Sequence, residues 1–139
     1  MANMLYTSFK TNLLNATHAD AIDFTNDTIR AALVDEGTYT RSAAHQYLSS
    51  VSAGIVGTAA TLTSKTTTGG VFDAADTTFT AVSGASCESI LIYKDTGNPA
   101  TSPLIALIDT VTSGLPITPN GGSIIVAWDN GGNGVLKVG

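Results

Sequence analysis

Ser89-Ile90-Leu91-Ile92-Tyr93, Leu104-Ile105-Ala106-Leu107-Ile108 and Ile124-Ile125-Val126-Ala127-Trp128 are the three strongest apolar runs in the chain, set apart from one another by turn-forming residues. Short runs rich in Ile, Leu and Val between Gly, Pro, Asn and Asp read as β-strands. They are apolar at every position instead of alternating. A sandwich strand with one face in water shows apolar residues inward and polar residues outward. The second face of these strands therefore needs a cover. The N-terminal segment can supply one, and a partner subunit another. This predicts a homo-oligomer, dimer or trimer, held through apolar residues outside the sandwich core.

The same reading extends in both directions. After Asn130-Gly131-Gly132-Asn133-Gly134 a last short strand runs from Val135 to Val138. Upstream, a Thr-rich strand over 58–68 turns at Gly69-Gly70 into another over 71–81, which carries Val71, Phe79 and Ala81; Gly-Gly between two strand-like runs is a hairpin signal. Residues 38–57 are the least regular, with one helical turn expected from Ala43 to Leu48. Ile22 and Phe24 share a face, Asn26-Asp27 makes a turn, and Ile29, Ala31 and Leu33 share a face on the next strand. Residues 1–16 read as a short helix, with Leu5, Phe9 and Leu13 in one stripe, Ala16 continuing it, and Asn3 as N-cap. That stripe packs on the chain's own core or docks on a neighbouring subunit, so Leu5, Phe9 and Leu13 are the candidate interface residues. The spacing predicts a single domain over 1–139: the helix over 1–16, then an antiparallel β-sandwich or jelly roll of about eight strands over 20–139. No alternation of strands and helices supports a parallel sheet.

Composition agrees. Charged residues make up 12% of the chain, about half the usual share, and Thr and Ser fill the gap. Thr is β-branched and suits half-exposed strands. The net charge is −5, and Lys10, Arg30, Arg41, Lys65, Lys94 and Lys137 are scattered singly. Nucleic-acid binding needs clustered cations to displace counterions, so no nucleic-acid partner is expected. No signal peptide is visible, and no apolar run approaches the ~20 residues of a membrane helix. A soluble protein made in a cytoplasm, without a membrane partner, is the expectation.

No chemistry-bearing constellation emerges. His18 and His45 stand in no ligand pair. Asp129-Asn130-Gly131-Gly132-Asn133-Gly134 faintly resembles a calcium loop but has Gly at its third position and no closing Glu, and so reads as a turn. Asp73 and Asp76 mark another acidic bend. Cys87, the single cysteine, abuts an apolar run and reads as a buried free thiol. Nothing marks a nucleophile elbow, a catalytic triad or a phosphate loop. The expectation is a protein that is not an enzyme, with no metal and no cofactor.

Several phrases are familiar as a set. Ile22-Asp23-Phe24-Thr25-Asn26-Asp27-Thr28-Ile29-Arg30-Ala31-Ala32-Leu33-Val34-Asp35 resembles the opening of a family of small tailed-bacteriophage structural proteins. In that family a short helix precedes a W-x-N-D-T-I-K-V-A-L-V segment; here the aromatic is Phe24 and the basic residue Arg30. The resemblance continues in order through Asp76-Thr77-Thr78-Phe79-Thr80-Ala81-Val82, Leu91-Ile92-Tyr93-Lys94-Asp95-Thr96-Gly97 and Ser102-Pro103-Leu104-Ile105-Ala106. It ends with Ile108-Asp109-Thr110, Gly114-Leu115-Pro116-Ile117-Thr118-Pro119-Asn120-Gly121-Gly122 and Trp128-Asp129. It implies a virion protein, foremost a capsid decoration (cement) protein on the outer surface of the major capsid protein lattice, made in the host bacterial cytoplasm. A tail, neck or fibre-associated role and a receptor- or carbohydrate-binding β-module are the alternatives. The family has no catalytic motif to carry over.

Overall fold

Ile29–Val34 forms an inner strand of the main sheet in the structure, a computed structural model in which residues 3–138 are described. In chain order the strands are β1 (Met4–Leu5), β2 (Ile29–Val34), β3 (Ile55–Thr61), β4 (Thr66–Thr68), β5 (Val71–Asp73), β6 (Thr77–Phe79), β7 (Ser89–Lys94), β8 (Leu104–Ile108), β9 (Ile124–Val126) and β10 (Leu136–Lys137). One α-helix, α1, spans Thr7–Leu13. The main sheet runs β1-β8-β7-β2-β3, with every neighbour antiparallel. A second sheet is β10-β5-β4 and a third pairs β6 with β9. The chain is thus mainly β and antiparallel, sandwich-like, with a short N-terminal helix. No barrel closes among the described residues.

Register decides which side chains share a face. Ala31, Ile92, Ala106 and Leu5 lie in one row across four strands; Ala32, Leu91, Leu107 and Met4 form the next row on the opposite face. Ser89 to Tyr93 are buried without a break, and so are Leu104 to Leu107. The chain itself covers both faces of β7 and β8. On one side Ile90, Ala106 and Ile108 look across to Val126, Trp128 and Val135. The same core takes in Tyr39, Leu48 and Val51 from the irregular 35–54 segment. Each fully buried Leu or Ile contributes roughly 1.5–3 kcal/mol relative to an exposed one, so these two strands dominate the core.

β9 behaves differently. Ile124 and Val126 are half-buried while Ile125 is 68% exposed, so this run does alternate.

The N-terminal helix is shorter than expected because strand pairing claims its first residues. Met4 and Leu5 pair with Leu107 and Ala106, and the Tyr6 amide donates to the Ile105 carbonyl at 3.1 Å. Asn3 is therefore no N-cap: its Oδ1 accepts the Asp109 and Thr110 amides at 2.9 and 2.8 Å. Residues 22–24 form no strand. The Asp23 carboxylate instead accepts the Thr25 and Asn26 amides at 3.0 and 3.1 Å, a local turn that competes with strand pairing. Hydrogen bonds from Asn26 and then Thr25 hold this carboxyl down to about 2. Ile22 and Phe24 still pack on the core from this turn.

The expected strands over 58–68 and 71–81 each divide in two, and with β1 added and 22–24 removed the count becomes ten instead of about eight. The expected helical turn at 43–48 appears later, as 3₁₀ turns at Leu48–Ser50 and Ser52–Gly54. The Gly69-Gly70 hairpin is as read. Thr68 pairs with Val71 across it, and both glycines have left-handed φ, 64° and 77°, as a two-residue mirror-type turn requires.

Candidate functional site

Two features stand out: a buried polar network around Tyr6 and a groove of mixed polar and apolar lining between the sheets. The network starts at Tyr6, fully buried, whose hydroxyl lies 3.1 Å from that of Tyr39. Tyr39 in turn meets His45 Nδ1 at 2.9 Å. Burial, reinforced by the Tyr39 hydrogen bond, pushes the Tyr6 phenol well above its ordinary range, so it stays protonated and serves as a hydrogen-bonding group. Beside it Arg41 reaches Glu36 through Nε and Nη2, both at 2.7 Å, and Asp109 at 3.0 Å. The guanidinium is 16% exposed, each carboxylate 8%. Such a bidentate clamp satisfies charges that are nearly out of water, and losing the cation would strand two acids. It ties the 36–41 loop to the end of β8, and the Thr7 amide donates to the Ala43 carbonyl nearby at 2.9 Å. The arrangement holds a loop in place; it aims no free group at a cavity.

The groove is about 520 Å³ where Leu5, Ile90, Ile108, Val126, Trp128 and Val135 line it. It continues through Ile90, Val111 and Val126 into a part of about 410 Å³ bounded by Leu33, Leu115 and Ile125. Val111 at its rim is 39% exposed. The polar groups at the larger end, Asn3, Thr110, Asp129 and Lys137, come from separate segments. With Thr112 and Asn133 added, the walls mix polar and apolar groups in nearly equal measure.

The sequence-predicted interface residues do not form one stripe. Leu5 belongs to β1 and is half-buried, Phe9 is 1% exposed, and Leu13 is 44% exposed. Phe9 sits edge-on to Phe24, centroids 5.8 Å apart at 83°, and Phe24 lies 4.6 Å from Phe72 of β5. Leu13 and the 91% exposed Leu14 mark the far end of the helix. His18 Nδ1 accepts the Asp20 amide at 3.1 Å, a partner unrelated to that of His45. Asp129 accepts the Gly131 and Asn133 amides at 3.0 and 3.1 Å, which lowers its carboxyl and makes 129–134 a turn. Asp76 accepts the Trp128 amide at 3.2 Å. Among the described residues no group of three or more His, Cys, Asp or Glu side chains could hold a metal ion, and no helix is long and apolar enough to cross a membrane. Cys87 is fully buried.

Sequence reasoning grouped the β9 run with the other two apolar runs and singled out neither Ile125 nor the groove rim. One signal was available: Thr110 to Trp128 contains no charged residue and no histidine. No protein-family model and no curated protein matches the chain.

Proposed function

We propose that the protein is a structural accessory of a bacteriophage particle, a capsid decoration (cement) protein that binds the major capsid protein lattice from outside. It works by binding, without catalysis or a cofactor. The ordered set of phrases shared with small tailed-phage structural proteins carries this reading. What supports it further is where those phrases fall. Ile29–Val34 is β2, an inner strand of the main sheet; Leu91 to Lys94 and Leu104 to Ala106 lie in β7 and β8; Gly114, Leu115 and Ile117 line the groove beside β9. The resemblance thus covers the framework together with one exposed apolar margin.

Cementing is a mass-action effect. A protein that binds the assembled lattice and not its separated subunits stabilises the lattice, and increasingly so as its free concentration rises above Kd. Contacts repeated over many copies allow each one to be weak.

The test is co-sedimentation of the purified protein with capsid shells that lack it, followed by heating of bound and bare shells. Saturable binding that raises the temperature of shell opening is the expected result. Absence of shell binding, with recovery in tail or fibre fractions or on cell-surface glycan, would overturn it.

A further inference from the structure

We propose that the protein forms a two-fold dimer through an uncharged face centred on β9. Two stretches of the chain, Thr77 to Cys87 and Thr110 to Trp128, contain no acidic or basic residue and no histidine, although the whole chain has 11 acidic and 6 basic residues. The fold weaves them together. β6 pairs with β9, Val82 and the Gly121-Gly122 turn exchange amides at 3.0 and 2.7 Å, and Cys87 and Ile117 exchange theirs at 2.8 and 2.9 Å. These interwoven stretches carry no charged side chain of their own; Asp129 and Lys137 stand at the larger end of the adjoining groove.

The surface of these stretches is also where apolar side chains stand in water. Ile125 is 68% exposed and Val111 39%, and both line the smaller end of the groove with Leu115. β9 has a strand neighbour on one side only among the described residues, so its other edge has no strand partner. Exposed edges are ordinarily guarded by Lys, Pro or an inward charge. β9, Ile124-Ile125-Val126, has none of these.

The occupant follows from charge. A charged counter-surface would lose hydration against this face and find nothing to pair with, so depletion of charge here selects an equally uncharged partner. A second copy brings one. In a two-fold arrangement β9 meets β9 antiparallel near Ile125, extending two β6-β9 pairs into four strands, and the contact is isologous. The charges of two chains at −5 each then stay outside the contact. A standard interface takes about 800 Å² per partner, about a tenth of the 6966 Å² accessible surface. This inference stands apart from the capsid reading, because it concerns the isolated protein.

Sedimentation of the full chain decides it. The wild type is expected at twice 14.1 kDa at micromolar concentration. Ile125→Lys should raise the dimer dissociation constant by roughly a hundredfold, since it brings like charges face to face at the centre of the contact, and Val111→Lys, on a different segment, by roughly tenfold, since it buries an unpaired charge at the rim. Leu14→Lys, at the helix end, should leave it unchanged. Circular dichroism and melting establish that the variants are folded; should Ile125→Lys fail, Val111→Lys carries the test. A wild-type monomer, a dimer that survives both variants, or one that Leu14→Lys dissolves would each overturn the proposal.

Discussion

Truncating Phe9 to Ala separates a core residue from an interface residue. A Phe9 that docked on another subunit would be dispensable to the isolated protein. In the structure it is 1% exposed, edge-on to Phe24, which stacks toward Phe72. Burying a Phe side chain and then deleting it to Ala costs about 3–5 kcal/mol, and an edge-to-face ring pair adds about 0.5–1.5 kcal/mol to what burial alone contributes. Phe9 also lines a surface groove with Asn12, Leu13 and Ile22, so neighbours can settle into part of the space. That relaxation places the expected loss near the lower bound, about 3 kcal/mol. For a chain of this size that is a fall in Tm of roughly 10 °C. Urea unfolding, read by tryptophan fluorescence and by circular dichroism, measures the loss directly. Leu13→Ala, 44% exposed, serves as the comparison and should cost under about 1 kcal/mol. A double-mutant cycle of Phe9→Ala with Phe24→Ala should return a coupling of about 1 kcal/mol. A Phe9→Ala protein with the unfolding midpoint of the wild type would refute the packing argument and return Phe9 to the surface.

Two further outcomes follow from backbone and thiol geometry. Gly134 has φ +57°, and a Cβ there would come within 2.5 Å of the Phe72 carbonyl oxygen and 2.7 Å of Val71 Cγ1; Gly134→Ala should cost more than about 2 kcal/mol and release the β10-β5 pairing, detected as faster amide exchange in residues 135–137. Burial first, then the nearby Glu88 and Asp35 charges, push the Cys87 thiol from 9.0 up to about 11. Since the folded value lies above the unfolded one, the protonated thiol favours the native state fully below pH 9, and that contribution is lost as pH rises through 9 to 11. An aromatic disulfide reagent should leave Cys87 untouched at pH 8 and modify it completely in denaturant; fast native labelling would contradict the burial.

The framework was readable because its signals are local and strong. β7 and β8 are continuous apolar runs, and the Gly69-Gly70 turn needs two left-handed residues that only glycine adopts freely. Elements set by competing hydrogen bonds were not readable. Met4-Leu5 belongs to a strand because β8 offers an unpaired edge there, which nothing in residues 1–16 announces. Leu5, Phe9 and Leu13 keep helical spacing on paper, yet the helix begins at Thr7, so Leu5 leaves the stripe. Ile22 and Phe24 alternate like a strand, but Asp23 between them captures backbone amides from Thr25 and Asn26 and closes a turn. In each case a hydrogen-bonding option that the apolar spacing does not show, tertiary at Met4-Leu5 and local at Asp23, won.

The surface was harder to read for a different reason. An apolar run carries the same letters whether the chain or a partner covers it. Reasoning from doubly apolar strands to a partner treated all three runs alike, and the fold divides them: β7 and β8 are covered from within, while Ile125 of β9 is left in water. What distinguishes the runs is the company they keep. β7 ends at Lys94-Asp95 and β8 at Asp109, both inside ion pairs with Asp27, Arg30 and Arg41. β9 lies within a neutral stretch that runs on one side to Thr110 and on the other to Trp128. Charges at the ends of a buried strand mark where it meets solvent. Their absence around an exposed strand removes the repulsion and the hydration that keep two surfaces apart. The pattern of missing charge, more than the pattern of apolar residues, is therefore the sequence signal for the face on which the proposed dimer rests.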